Sequence, residues 1–182
     1  MKNEEILDII KPQNGIETAI CNNNDFIIGC YYGKPRPGHK EGAVIYHIKE
    51  VLANIDKFYS DDKDYDKLRL IAIVHDTFKY KVNHNLPKSG ENHHGYIAQK
   101  FAENYCHNTN VLQVILLHDD AYNAWSIGGR RGDWYKAKER AIKLIDKLNI
   151  LDNIDLYIKF YECDNATGDK SQENYDWFIE QL

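Results

Sequence analysis

At 182 residues the chain is long enough for one compact core that buries roughly 70% of its unfolded surface without disulfides as staples. Its 43% apolar and 28% charged residues, with the charges spread along the chain, argue against disorder, and a net charge of −5 disfavours a non-specific nucleic-acid binder, so any phosphate recognition must be local. Cys21, Cys30, Cys106 and Cys163 form no Cys-x-x-Cys pair and read as reduced, largely buried thiols of a cytoplasmic protein.

In chain order, residues 3–10 predict a short amphipathic helix stopped by Pro12. The start, MKNEEILDIIKP, is too acidic and too poor in apolar residues for a secretion signal, and no later stretch approaches the roughly 20 apolar residues of a span, so no membrane partner is expected. GIETAIC (15–21) and DFIIGCYYG (25–33) flank a turn-like Asn22-Asn23-Asn24-Asp25 and predict a short N-terminal β-hairpin. GKPRPGHKEG (33–42) is a loop by its prolines and glycines. From Gly42 onward, apolar spacings of three and four predict helices at about 42–59, 64–79, 93–106, 109–121, 133–149, 152–165 and 171–181. VNHNLPKSGEN (82–92) is longer than a simple turn requires and reads as a functional loop. SIGGRRGD (126–133) reads as a second one, whose Gly128, Gly129 and Gly132 would let the backbone approach a ligand. The expectation is a mostly α-helical bundle forming one domain over 1–182.

Several of the eight histidines stand in apolar segments: His47 in AVIYHIKEVL, His75-Asp76 in LIAIVHDTFKY and His118 in VLQVILLHDD, with Asp164 in LYIKFYECDNA. Burying such groups costs about several kcal/mol unless they are paired or bound to metal. Taken singly, each could be a core histidine bonded to a neighbour; taken together, they fit a shared divalent cation. Imidazole with carboxylate suits Mn, Fe, Co, Ni or Zn, in one or two ions. The adjacent pair is the most informative feature, since helix neighbours point about 100° apart and meet one ion only at the helix flank.

The order His47, His75-Asp76, Asp164 resembles the HD-domain superfamily of metal-dependent phosphohydrolases, named for such a pair. HKEGAVIYHIKEV is similar to the first-histidine motif of several members, including the HD modules of bacterial tRNA CCA-adding enzymes, and HDTFK resembles the HD-x-x-K form. The Cys-Asp-Asn-Ala context of Asp164 resembles the late helix that supplies the last ligand. The resemblance covers about residues 38–170 and implies an HD-like helical bundle. It further implies a second metal held by two histidines lying between the pair and the final aspartate and bridged by Asp76. Here these are His94, with His93 as the alternative, and His118. His39, His84 and His107 read as surface histidines.

The resemblance implies hydrolysis of a small phosphorylated substrate, with nucleotides the leading class. Lys79 would act beside Asp76 in catalysis, and Arg130, Arg131 and Glu41 would bind substrate; Asp119 or Asp120 could orient water or imidazoles. Tyr122, Trp125 and Trp134 could stack on a base or belong to the core. Two other outcomes share the ligand order: a mixed-valence di-iron oxygenase, and a non-catalytic nucleotide-binding module. Homo-oligomers remain open.

Overall fold

A computed structural model describes residues 2–35, 40 and 42–182. His39 and Glu41, together with the middle of the 33–42 loop, lie outside the described residues. The described chain is helical throughout: α1 Lys2–Ile10, α2 Gly15–Cys21, α3 Asn24–Cys30, α4 Val44–Tyr59, α5 Tyr65–Val74, α6 His94–Ala102, α7 Thr109–Leu117, α8 Asp120–Arg131, α9 Trp134–Asn149, α10 Ile154–Asn165 and α11 Glu173–Ile179. Among the described residues no helix is long and apolar enough to cross a membrane.

The expected N-terminal hairpin is two short helices instead. The asparagines taken for a turn are helix caps. Asn14 Oδ1 accepts from the Glu17 amide at 2.9 Å, and Asn23 Oδ1 accepts from the Asp25 amide at 2.9 Å and the Phe26 amide at 3.3 Å. The buried residues then recur at helical spacing, Glu17, Ile20 and Cys21 in α2, Phe26, Gly29 and Cys30 in α3. Buried Glu17 is matched by buried Arg69 of α5, whose Nη2 donates to Glu17 Oε2 at 2.9 Å and to the Ile10 carbonyl at 3.2 Å. That pair ties the end of α1 and the start of α2 to the central helices.

The centre is made by α4, α5, α7 and α10, which pack on one another. In α4 the buried positions Ile45, Ile48, Leu52 and Ile55 form one stripe, and His47 lies beside it on the same inward face. Helix α5 is buried all round from Leu68 to Val74, so it is the innermost rod. It stops at Val74, and His75 is its C-cap, so the His75-Asp76 pair sits in the turn after the helix rather than inside a helix running to residue 79.

The predicted 109–121 helix divides after Leu117, and the predicted 126–133 loop is the second half of α8. Its glycines serve packing. A Cβ on Gly128 would stand 2.2 Å from the Trp134 ring, and one on Gly129 would stand 2.6 Å from the Trp125 ring, so both positions clear space for indoles where α8 meets α9. Gly132 ends the helix in the left-handed conformation, φ 78°, that favours glycine at this place.

Candidate metal centre

Five elements deliver side chains to one point between α4, α5, α7 and α10. His47 comes from the first turn of α4, His75 and Asp76 from the turn after α5, and His94 from the first residue of α6. His118 caps the C-terminus of α7, and Asp164 stands in the last turn of α10. Helix ends and first turns are suited to this, because the side chains there reach past the packed helix body into the centre.

The cluster has two halves. In the first, His47 Nε2 lies 3.2 Å from His75 Nε2 and 2.9 Å from Asp164 Oδ1, and His75 Nε2 is 4.0 Å from the same oxygen. In the second, His94 Nε2 lies 3.0 Å from His118 Nε2. Asp76 stands between them and turns one oxygen to each: Oδ2 is 3.8 and 3.7 Å from His47 and His75, and Oδ1 is 3.4 and 3.3 Å from His94 and His118. Two nitrogen ligands about 2.1 Å from a common ion at 90–110° are themselves about 3.0–3.4 Å apart. The close pairs in each half match that spacing, which is also the length of a hydrogen bond between two imidazoles.

Local hydrogen bonds aim the imidazoles. His75 Nδ1 donates to the Ala72 carbonyl at 3.0 Å, and His118 Nδ1 donates to the Ile115 carbonyl at 2.8 Å. A carbonyl can only accept, so each bond fixes a proton on Nδ1 and turns Nε2 to the centre, as the atom that could hold an ion. The Phe160 ring, 5.1 Å from that of His75, closes the inner wall.

The electrostatics single out the place where positive charge is favoured. Burial pushes His75 down to about 3 and lowers His94, so both are neutral at pH 7 and able to donate a lone pair. Burial also lowers His118, but the carboxylates of Asp76 and Asp119 outweigh it and hold this imidazole up at about 9. Asp76 and Asp164 are well below the usual carboxylate range. Burial opposes this in both, and is outweighed by the Lys79 ammonium with His75 at Asp76, and by Lys170 with His47 at Asp164. Asp76 Oδ1 is buried and makes no hydrogen bond of good geometry; the His118 imidazole, 3.3 Å away, is the positive group that faces it, and a metal ion would take that place. The donor set fits divalent transition metals, and among the described residues three three-residue groups could each hold an ion: His47–His75–Asp164, Asp76–His94–His118, and His93–His94–Asp119, which shares His94 with the second.

His93, the alternative to His94, is placed differently. Its Nδ1 accepts from the Gly95 amide at 3.2 Å and so caps α6, while its Nε2 lies 3.4 Å from Asp119 Oδ2. Lys79 pairs with Asp76. The long 82–92 segment is pinned by Asn92, whose side chain bonds the amide and carbonyl of Asn83 and the Pro87 carbonyl, and it leads directly into His93 and His94. Arg130 and Arg131 are exposed on the last turn of α8, Arg130 lying over the Tyr122 ring at 5.5 Å. At 1.5 Å per residue they are about 16 and 18 Å along the helix from Asp119. They are therefore not part of the cluster. Asp120 pairs with Arg140 of α9 at 3.0 Å. Sequence reasoning missed Lys170, whose Nζ is 3.1 Å from Asp164 Oδ1; it follows α10 in a polar stretch with no apolar periodicity to mark it.

No curated protein and no solved structure gives a significant match to the chain. A family model described as HD domain matches residues 44–151, a stretch that contains His47, His75, Asp76, His94 and His118 and stops before Asp164. Since that match takes in more than half of the chain, the adjacent His75-Asp76 pair included, the chain belongs to the HD-domain family, in the superfamily of metal-dependent phosphohydrolases.

Proposed function

We propose that the protein is a metal-dependent phosphohydrolase acting on a small phosphorylated molecule, a nucleotide being the leading class. The observation that carries this reading is Asp76, a single carboxylate that turns one oxygen to each of two histidine groups. Divalent ions held there would supply Lewis acidity at a phosphoryl group and acidify the water that attacks phosphorus. Asp76, Asp164 and the four imidazoles would hold the ions. Lys79, paired to Asp76 at the edge of the cluster, would meet phosphoryl oxygens as a point charge. Arg130 and Arg131 would reach only the far end of a longer substrate. The net charge of −5 favours a small substrate over a polymer and a cytoplasmic setting suits the free thiols.

The test is phosphate release from a panel of nucleotides and sugar phosphates with Mn, Co or Ni, joined to elemental analysis. We expect turnover with at least one metal, and loss of both bound metal and turnover in His75→Ala and Asp76→Ala. Undiminished turnover in either variant would overturn the reading. So would a protein that purifies with iron, consumes oxygen and releases no phosphate.

A further inference from the structure

The cluster has an open side and a closed one. The side chains of His47 and His75 are 4% and 1% exposed, whereas those of Lys79, Lys170 and Asp164 are 28%, 19% and 17% exposed, so both lysines lie on the side of the cluster that meets solvent. They come from unrelated stretches of chain, the turn after α5 and the turn after α10. Each is paired to one of the two carboxylates of the same half, Lys79 to Asp76 Oδ2 and Lys170 to Asp164 Oδ1, and both of these oxygens face His47 Nε2, at 3.8 and 2.9 Å. A phosphoryl group bound at this half would have a cation beside each of its two carboxylates.

We infer that Lys170 is a second phosphate-binding residue, facing Lys79 across the mouth of the His47–His75–Asp164 half. The inference rests on the reading of the cluster as a phosphate-handling metal centre. Lys170 is held for the task by its surroundings. Its Nζ also donates to the Asp164 carbonyl at 2.9 Å, Thr167 Oγ1 donates to that carbonyl at 2.7 Å, and the Gly168 amide donates to Glu50 Oε2 of α4 at 2.8 Å. The turn is thereby anchored at both ends and the ammonium is set at a fixed height above Asp164. Such a preset cation loses little freedom when an anion binds, and a charge-assisted bond to a phosphate oxygen is stronger than a neutral one. A competing assignment is that Lys170 only caps the C-terminus of α10, where a cation is favourable in any helix.

The two roles separate in a binding measurement. Inorganic phosphate is titrated calorimetrically into the Mn-loaded full chain, with Mn affinity and thermal midpoint measured on the same samples. Lys170→Met should weaken phosphate binding by about tenfold, as loss of one charge-assisted bond does, while Mn affinity stays within about threefold. Lys170→Arg, which keeps the charge, should recover most of the loss. A Lys170→Met protein whose midpoint falls but whose phosphate affinity is unchanged overturns the inference in favour of capping alone. Phosphate affinity that depends on Lys170 in a protein that hydrolyses no ester supports the inference and sinks the hydrolase reading. Hydrolysis with phosphate affinity indifferent to Lys170 does the reverse.

Discussion

His75 and His118 are aimed by the same local device, a helix that ends on histidine and takes the imidazole proton on its own carbonyl three residues back. What fixes the second of these ends is Tyr157, buried in α10, whose hydroxyl accepts from the Ala121 amide at 3.1 Å and donates to the Leu117 carbonyl at 3.0 Å. These are backbone groups freed where α7 gives way to α8. Tyr157→Phe would leave both unpaired in the interior, at a cost of about 1–3 kcal/mol. The check is a denaturant titration, in which the midpoint should fall while the slope is unchanged. An unchanged midpoint would mean that the junction holds itself.

Helix α3 acts on the site through contact rather than chemistry. Gly29 packs on the turn that carries Asp76 so closely that a Cβ there would lie 1.9 Å from the Thr77 carbonyl oxygen. Gly29→Ala must move the backbone of that turn, and we expect a loss of about 1–3 kcal/mol of stability from overpacking together with weaker metal binding. Stability lost with metal affinity intact would show that the turn yields elsewhere. A second device joins α10 to the α4–α5 connection, where Lys159 meets Asp62 at 2.9 Å, Asp64 at 3.3 Å and Asp155 at 2.7 Å. Asp62 lies below its ordinary value first through the Asp64 amide and then through Lys159; Asp64 does so against burial, through Lys67 and Lys159. Depressed carboxylates contribute stability that is present above the ordinary carboxylate value and is lost as pH falls through the folded one. Lys159→Met should therefore cost up to about 1 kcal/mol near pH 7 and less near pH 3, read from thermal midpoints at the two pH values. An equal cost at both would assign the effect to packing.

The long helices were legible because fifteen or so residues of three-and-four spacing leave little ambiguity, as in α4 and α9. Helices α2 and α3 were not, since seven residues with two apolar runs look like strands until the caps Asn14 and Asn23 are recognised. The glycines of α8 misled for a related reason: a glycine that makes room for an indole reads, in sequence, like one that makes a loop. At the site, His47, His75, Asp76, His118 and Asp164 stood out because they interrupt apolar segments, whereas His94, in a polar stretch beside His93, was reached only through the family resemblance. Lys170 interrupts nothing, and only the turn after α10 brings it to Asp164.

Across the whole molecule, the candidate ligands come from α4, the turn after α5, α6, α7 and α10, so an ion bound to them would tie together elements from residue 47 to residue 164. Those elements include the innermost part of the core. Bound metal should thus stabilise the fold as a whole. An ion at about 100 times its Kd contributes about 2.7 kcal/mol, which for a chain of this length raises the thermal midpoint by about 5–10 °C. Scanning calorimetry with and without Mn and a chelator measures it, and an unchanged midpoint at saturating metal would contradict a site built from the core. The central claim, that one carboxylate joins two ion sites, is tested most directly by metal content per chain after Mn loading and desalting. The account predicts two ions in the unaltered protein, one in His94→Ala and none in Asp76→Ala; two ions retained by Asp76→Ala would contradict it.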